Sequence, residues 1–257
     1  MKKLVLIVLW FTFGMPHFAF SQKSNPDKYV FSNKIFSFQF LLNLQSPGGD
    51  MAKTFGNHAS IGFGGMLKGK KNWVYAAEGN YLFGGELKNL SIFDQLTNEA
   101  GYIPNNTGTP ANYSVGLRGI SFFIKAGRVF SFNRFRKNNG ILYQSGIGFL
   151  QHKINIQTYQ NEVPPLNENY VLGYDRLTNG FALNQFLGYQ FYSQNRFINF
   201  YAGLDFTMAF TQNRRGFNYD SRQFDPLNKT DYLIAFRAGW LIPIYLHTKN
   251  EDEFQFR

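Results

Sequence analysis

Along residues 197–211, FINFYAGLDFTMAFT, apolar and polar positions alternate with a period of two. Ile198, Phe200, Ala202, Leu204, Phe206, Met208 and Phe210 fall on one face, and Asn199, Tyr201, Gly203, Asp205, Thr207, Ala209 and Thr211 on the other. Side chains two apart on a strand point the same way, so the stretch predicts a strand with one greasy wall and one polar or small wall. In a soluble sandwich the greasy wall meets a core. In a membrane barrel it meets lipid, and the polar wall lines the interior.

The same pattern recurs along the chain and predicts eight strands, at 35–44, 58–67, 73–83, 114–126, 140–156, 181–191, 197–211 and 232–244. The fourth carries two phases, Ile120, Phe122 and Ile124 on one face and Val115, Leu117 and Phe123 on the other, which a bulge between Arg118 and Ser121 would reconcile. Four connections are long. Residues 45–57 hold Pro47-Gly48-Gly49-Asp50 and read as a loop. Residues 84–113 place Leu87, Leu90, Phe93 and Leu96 at helical spacing and predict a short amphipathic helix. Residues 157–180 and 212–231 complete the set. The other three connections, near 68–72, 128–139 and 192–196, are shorter, and the first two are basic. Long and short connections in alternation predict an all-β fold: an eight-stranded antiparallel up-and-down transmembrane β-barrel with long extracellular loops and short periplasmic turns. Trp73, Tyr192, Tyr232, Trp240 and Tyr245 are expected at the two membrane interfaces.

Composition decides which solvent the greasy faces meet. Residues 1–21 open with Lys2 and Lys3, continue through an apolar run and close on Ala19-Phe20-Ser21, the order of a secretory signal peptide. Its removal lowers the net charge from +10 to +8. Residues 22–34 read as a periplasmic leader, 35–246 as the barrel and 247–257 as a charged tail. With 30 Phe, 15 Tyr and 25 Gly, strands and tight turns are favoured over helices. No cysteine is present, which excludes disulfides, thiolate metal sites and a lipid anchor on an N-terminal Cys. An exported, aromatic-rich β chain of this kind points to a Gram-negative outer membrane, with lipid and lipopolysaccharide as its surroundings.

Eight strands enclose an interior just wide enough for side chains to fill. On the predicted phases Glu78, Asp205 and Arg237 point inward, and folding the last two strands about residue 221 sets Asp205 opposite Arg237. An unpaired charge there is costly, so an ion pair is expected, with Glu78 as a further partner, acting as a structural plug rather than an ion gate. For a rim-sited hydrolase the candidates are His58, His152 and Asp175, a histidine beside a carboxylate being able to act as a general base. No nucleophile elbow, metal-ligand spacing or phosphate loop accompanies them, so no catalytic residue, cofactor or metal is expected. Tyr174, Asp175, Arg176, Arg214 and Arg215 are the candidates for loop interactions, with Arg214, Arg215 and Arg222 reaching lipopolysaccharide phosphates. The basic residues are dispersed among turns and loops, and no nucleic-acid partner is expected.

The signal end Ala19-Phe20-Ser21-Gln22, the run Gly140–Phe149 (GILYQSGIGF) and the run Gly239–Tyr245 (GWLIPIY) resemble the small outer-membrane β-barrel proteins of the OmpA/OmpX-like class, in their Bacteroidota form. A plugged barrel with elaborate long loops, one with a short helix and one with Pro164-Pro165 and Tyr174–Gly180, leads to the expectation of a scaffold or accessory subunit without enzymatic activity, in a Bacteroidota outer-membrane assembly or type IX secretion complex, with other outer-membrane proteins as partners. The chain departs from many such barrels in carrying a tail beyond the last strand. The alternative function is a narrow channel or transporter for small solutes.

Overall fold

The computed structural model describes residues 34–84, 87–132, 138–159, 163, 166, 170–193, 198–224 and 228–246. The expected signal peptide, the leader up to residue 33, the tail, Pro164-Pro165, and Arg134, Arg136 and Lys137 of the basic turn lie outside them. Ten strands are present among the described residues: β1 (Lys34–Gly49), β2 (His58–Lys68), β3 (Trp73–Gly84), β4 (Tyr113–Phe130), β5 (Gly140–Thr158), β6 (Thr178–Tyr192), β7 (Asn199–Asn213), β8 (Phe217–Asn218), β9 (Gln223–Phe224) and β10 (Asn228–Leu246). Eight of them close into one barrel in the order β1-β10-β7-β6-β5-β4-β3-β2, while β8 and β9 pair with each other in the last outer loop. Every barrel strand is antiparallel to its neighbours, and β1 closes on β10 over its whole length. No described helix is long and apolar enough to cross a membrane.

The period-two pattern orients every wall. On β7, Leu204 is 63% exposed and Asp205 beside it is 2% exposed. Outward Phe, Leu, Ile and Tyr continue round the ring, from Phe38, Phe40 and Leu42 on β1 to Ile234, Phe236 and Trp240 on β10. An apolar belt outside with charged and amide side chains buried inside is the inverse of a soluble sandwich, and it places the greasy wall in hydrocarbon. The chain is an integral outer-membrane β-barrel.

Several local expectations are corrected. Residues 45–49 are strand rather than loop: Gln45 to Gly49 pair with Ala235 to Asp231, although pairing with β2 ends at Gln45. Pro47 is tolerated there because the strand has one partner, so a missing N–H need not break a ladder. β4 has no bulge, since its registers run without a break, over Leu117–Arg128 with β3 and over Tyr113–Phe130 with β5. A single phase therefore holds: Leu117, Phe123 and Lys125 face in, and Phe122 and Ile124 face out. Thr178 to Gly180 belong to β6 rather than to the loop before it. The predicted helix is one short 3₁₀ segment, Ser91–Leu96, that buries Ile92 and Phe93 and leaves Leu90 exposed. Among the expected interface aromatics, Trp73 and Trp240 face out, whereas Tyr192 points inward to hydrogen-bond Ser37 Oγ at 2.9 Å. Tyr245 also turns inward, against the core at the periplasmic end.

The interior has three layers. At the loop end Leu82, Leu117, Phe123, Leu150, Ile154 and Leu233 form an apolar cluster that the outer loops join. At the turn end Ile35, Leu41, Met66, Val74, Leu142, Phe186, Tyr201 and Leu241 form a second. Tyr201 lies on its register partner Gly239, where a Cβ would come within 2.5 Å of the ring, so the ring fills space that only a glycine leaves open. Charged and polar side chains occupy the layer between.

Candidate functional site

The middle layer is built by four charges from four strands: Glu78 on β3, Lys125 on β4, Asp205 on β7 and Arg237 on β10. None is more than 5% exposed. Glu78 Oε1 receives Lys125 Nζ at 2.8 Å and Arg237 Nη1 at 2.7 Å. Asp205 Oδ2 lies 3.2 Å from Arg237 Nη2 and 3.5 Å from Lys125 Nζ. Lys125 meets both carboxylates as an ion pair rather than through well-aligned hydrogen bonds. Two positive and two negative groups leave no net charge in the layer.

Neutral amides and hydroxyls complete it. Arg237 Nε donates to Asn43 Oδ1 at 2.7 Å, and Asn43 Nδ2 donates to Ser60 Oγ at 2.8 Å. Asn184 Nδ2 donates to Asp205 Oδ1 and Thr207 Oγ1, both at 2.8 Å. A buried ion pair repays its desolvation only when the remaining hydrogen-bonding sites are met. The amides meet part of that need, at Arg237 Nε and Asp205 Oδ1, while Asp205 Oδ2 and Asn184 Oδ1 have no hydrogen-bond partner among the described residues.

Glu78, Asp205 and Arg237 are thus brought together, though not with the expected register. β7 and β10 fold two residues differently, so Arg237 stands opposite Gly203 and Asp205 opposite Ala235. The guanidinium covers the diagonal offset because a cross-strand i, j±2 neighbour is within reach of a long side chain. Lys125 is the member sequence reasoning missed. Its signal was the outward pair Phe122 and Ile124, which forces Phe123 and Lys125 inward once no bulge interrupts the strand.

The rim histidines are buried, and neither pairs with Asp175. His152 Nε2 lies 3.0 Å from Asp231 Oδ2, which also accepts Thr211 Oγ1 at 2.6 Å. The Phe55 ring stands edge-on to His152, with centroids 5.6 Å apart. His58 Nδ1 faces Gly56 O at 3.2 Å. Asp175 instead takes a bidentate pair from Arg215, Nε at 2.8 Å and Nη2 at 2.6 Å. The His152 cluster has its carboxylate between the hydroxyl and the imidazole. A hydrolytic triad needs the imidazole between the nucleophile and the carboxylate. Among the described residues no group of three or more His, Cys, Asp or Glu is placed to hold a metal ion.

The outer loops form one cap. Met51 and Phe55 from the first loop, Ile92, Phe93 and Ile103 from the second and Val163, Leu166 and Tyr174 from the third share the loop-end apolar cluster. Tyr174 meets Tyr219 edge to face at 5.7 Å, which brings in the fourth loop. Backbone hydrogen bonds tie the loops across sequence: Lys88 N to Thr54 O at 2.9 Å, Arg214 N to Leu177 O at 2.8 Å and Tyr219 N to Gly173 O at 3.0 Å. Gln95 Nε2 donates to Asp220 O at 2.6 Å, and Arg176 pairs with the Asp220 carboxylate. Four of the five predicted loop residues therefore brace the cap: Tyr174, Asp175, Arg176 and Arg215. Arg215 and Arg176 are committed to Asp175 and Asp220 rather than free for lipopolysaccharide. Arg214 and Arg222 stay exposed, with Arg214 Nε donating to Asn179 Oδ1 at 2.6 Å.

No family model matches the chain, and no curated protein matches it. Among solved structures it is similar to Ail, the attachment invasion locus protein of Yersinia pestis, at 9% identity over 81% of this chain and 99% of that one, with a TM-score of 0.42. Neisserial surface protein A is similar at 8% identity over 80% and 96%, with a TM-score of 0.41. The outer membrane protein OprG from Pseudomonas aeruginosa follows at 10% identity over 84% and 97%, with a TM-score of 0.34. The barrel class rests on the closed strand order and the apolar exterior of the chain itself.

Proposed function

We propose that the chain is a non-enzymatic outer-membrane barrel of the Bacteroidota type. It serves as a structural or accessory subunit of an outer-membrane complex, of the assembly or type IX secretion kind, and acts through its extracellular loops. The observation that carries this reading is the cap: residues from three outer loops share an apolar cluster, and the fourth joins it through the Tyr174–Tyr219 contact and the Asp175–Arg215 and Arg176–Asp220 pairs. Loops ordered to that degree present a fixed surface, which suits recognition better than solvation alone. In this reading the exposed Arg214 and Arg222 are the side chains offered to lipopolysaccharide phosphates. Nucleic acid is not a partner in this reading, because the positive charge is dispersed. Purification of the tagged chain from outer membranes in mild detergent is the test. A stable heteromeric partner that stays bound through gel filtration is expected, and a chain that always elutes without one overturns the reading.

The alternative, a narrow channel for small solutes, meets an obstacle in the interior. A permeating ion would have to pass two apolar clusters and separate four mutually paired charges.

A further inference from the structure

The outward belt is interrupted near its middle. Ser145 on β5 and Gln185 on β6 are polar side chains that face lipid, and both are exposed, whereas the outward Arg128 lies near the turn end of β4 over the Phe130 ring. Ser145 and Gln185 are direct register partners. Gln185 is the middle residue of β6, with Phe181 and Leu183 outward on one side of it and Leu187 and Tyr189 on the other. Neither side chain has a hydrogen-bond partner among the described residues. At that depth no water and no headgroup is available, and an unmet amide in hydrocarbon is costly.

Beside the pair lies a groove of about 620 Å³ on the lipid face. Small side chains make it: Gly65 pairs with Ala77, and Ala126 pairs with Ser145. On the other side of the pair stand the exposed Leu187 and Leu204. The wall therefore reads, from β3 to β7, as recess, polar seam and ridge.

We propose that this wall is the contact between two copies of the chain within the membrane. A two-fold axis along the membrane normal, passing between β5 and β6, sets the recessed side of each copy towards the ridge of the other. A two-fold contact also requires that residue i meets j while j meets i. Ser145 and Gln185 satisfy that condition, since a carboxamide carries both donor and acceptor and a hydroxyl does too. Each Gln185 then answers the other copy's Gln185 or Ser145. Acyl chains fill the groove equally well but offer the seam no hydrogen bond, which is why a second copy is the better occupant.

The chain contains no cysteine, so single-cysteine variants report directly. Gln185→Cys, Ser145→Cys and, on the opposite wall, Leu42→Cys are oxidised in native outer membranes and run on non-reducing gels. Covalent dimer is expected at positions 145 and 185, at least several-fold above that at position 42. Equal yields at all three positions, no dimer at 145 and 185, or a cross-linked species of another mass would each overturn the proposal. Gln185→Leu keeps the belt apolar and is compatible with folding. It should lower the dimer fraction in mild detergent, and an unchanged fraction would equally refute the seam.

Discussion

Arg237 reaches across the barrel lumen to Glu78, 2.7 Å away, although three strand-to-strand steps separate β10 from β3 in the ring. Lys125 does the same towards Asp205, at 3.5 Å between β4 and β7. The two spans cross-link opposite walls. Arg237→Met removes one cation and leaves two carboxylates facing Lys125 alone. Breaking a buried pair by removing one partner costs about 3–5 kcal/mol. Urea unfolding in lipid vesicles, followed by the heat-modifiable gel band, should show a loss of that size. The double variant Arg237→Met with Glu78→Gln restores neutrality and should lose less than the two single variants summed. An Arg237→Met barrel that unfolds at the unchanged urea concentration would show that the quartet contributes nothing.

The layered interior predicts electrical silence. In planar bilayers the native chain should show no discrete conductance steps at neutral pH. Steps that reverse according to ion selectivity would sink the plug and revive the channel reading. Arg237→Met, which loosens the charged layer but leaves both apolar clusters, should stay closed or nearly so.

Asp175 is the pivot of the cap, holding Arg215 by two hydrogen bonds and Leu177 N by a third at 3.2 Å. Asp175→Asn keeps the shape and forfeits the charge-assisted pair. Local opening should become easier by about tenfold or more, since 1.4 kcal/mol is a factor of ten and bonds to charged groups are worth about 1.5–3 kcal/mol. Trypsin cleavage after Arg214 or Arg215 in intact cells should accelerate by that factor, while the barrel band is unaffected. Unchanged cleavage would mean that the cap is held by its apolar core alone.

The first loop carries an acid-sensitive latch. Asp50 accepts Lys53 Nζ at 2.7 Å and Thr230 N–H at 2.9 Å, and these bonds, the lysine's first, hold its carboxyl below the ordinary carboxylate value. A depressed value in the folded state means that the latch contributes above the ordinary carboxylate range and is lost as pH falls through the lowered one. Protection of the Thr230 amide in hydrogen exchange should therefore persist at pH 5 and fall away in stronger acid. Lys53→Ala should move that loss to higher pH, and Asp50→Asn should abolish the step. A Thr230 protection profile identical in all three chains would remove the latch.

How far the chain could be read in advance depended on how clean each alternation was. β7 was legible because bulky residues occupy nearly all of its outward positions, so Asp205 had to be inside. β4 was not, because Phe122-Phe123-Ile124 is apolar on both faces and periodicity cannot phase such a run. Lys125 was hidden with it. Pro47-Gly48-Gly49 was misjudged for another reason: turn chemistry is local, whereas the partner that keeps those residues extended is β10, nearly two hundred positions away. The register of Arg237 against Asp205 escaped for a different reason: a fold centre in a polar loop shifts by a residue without any change in local pattern. The cap was the least legible part. Its cluster joins Ile92, Val163 and Tyr174 with Leu150 and Leu233, and no spacing within one loop announces contacts that only barrel closure creates.

The quartet also has a consequence for the order in which the chain is put together. Glu78 and Lys125 lie on the adjacent strands β3 and β4, and Asp205 and Arg237 lie on the adjacent strands β7 and β10. Each half of the chain therefore brings one anion and one cation that can neutralise each other before the ring is shut. Either half taken alone thus holds an anion beside a cation. Closure of β1 on β10 then trades two local pairs for four shared ones, so the seam that shuts last is drawn together by charges that travelled in already balanced.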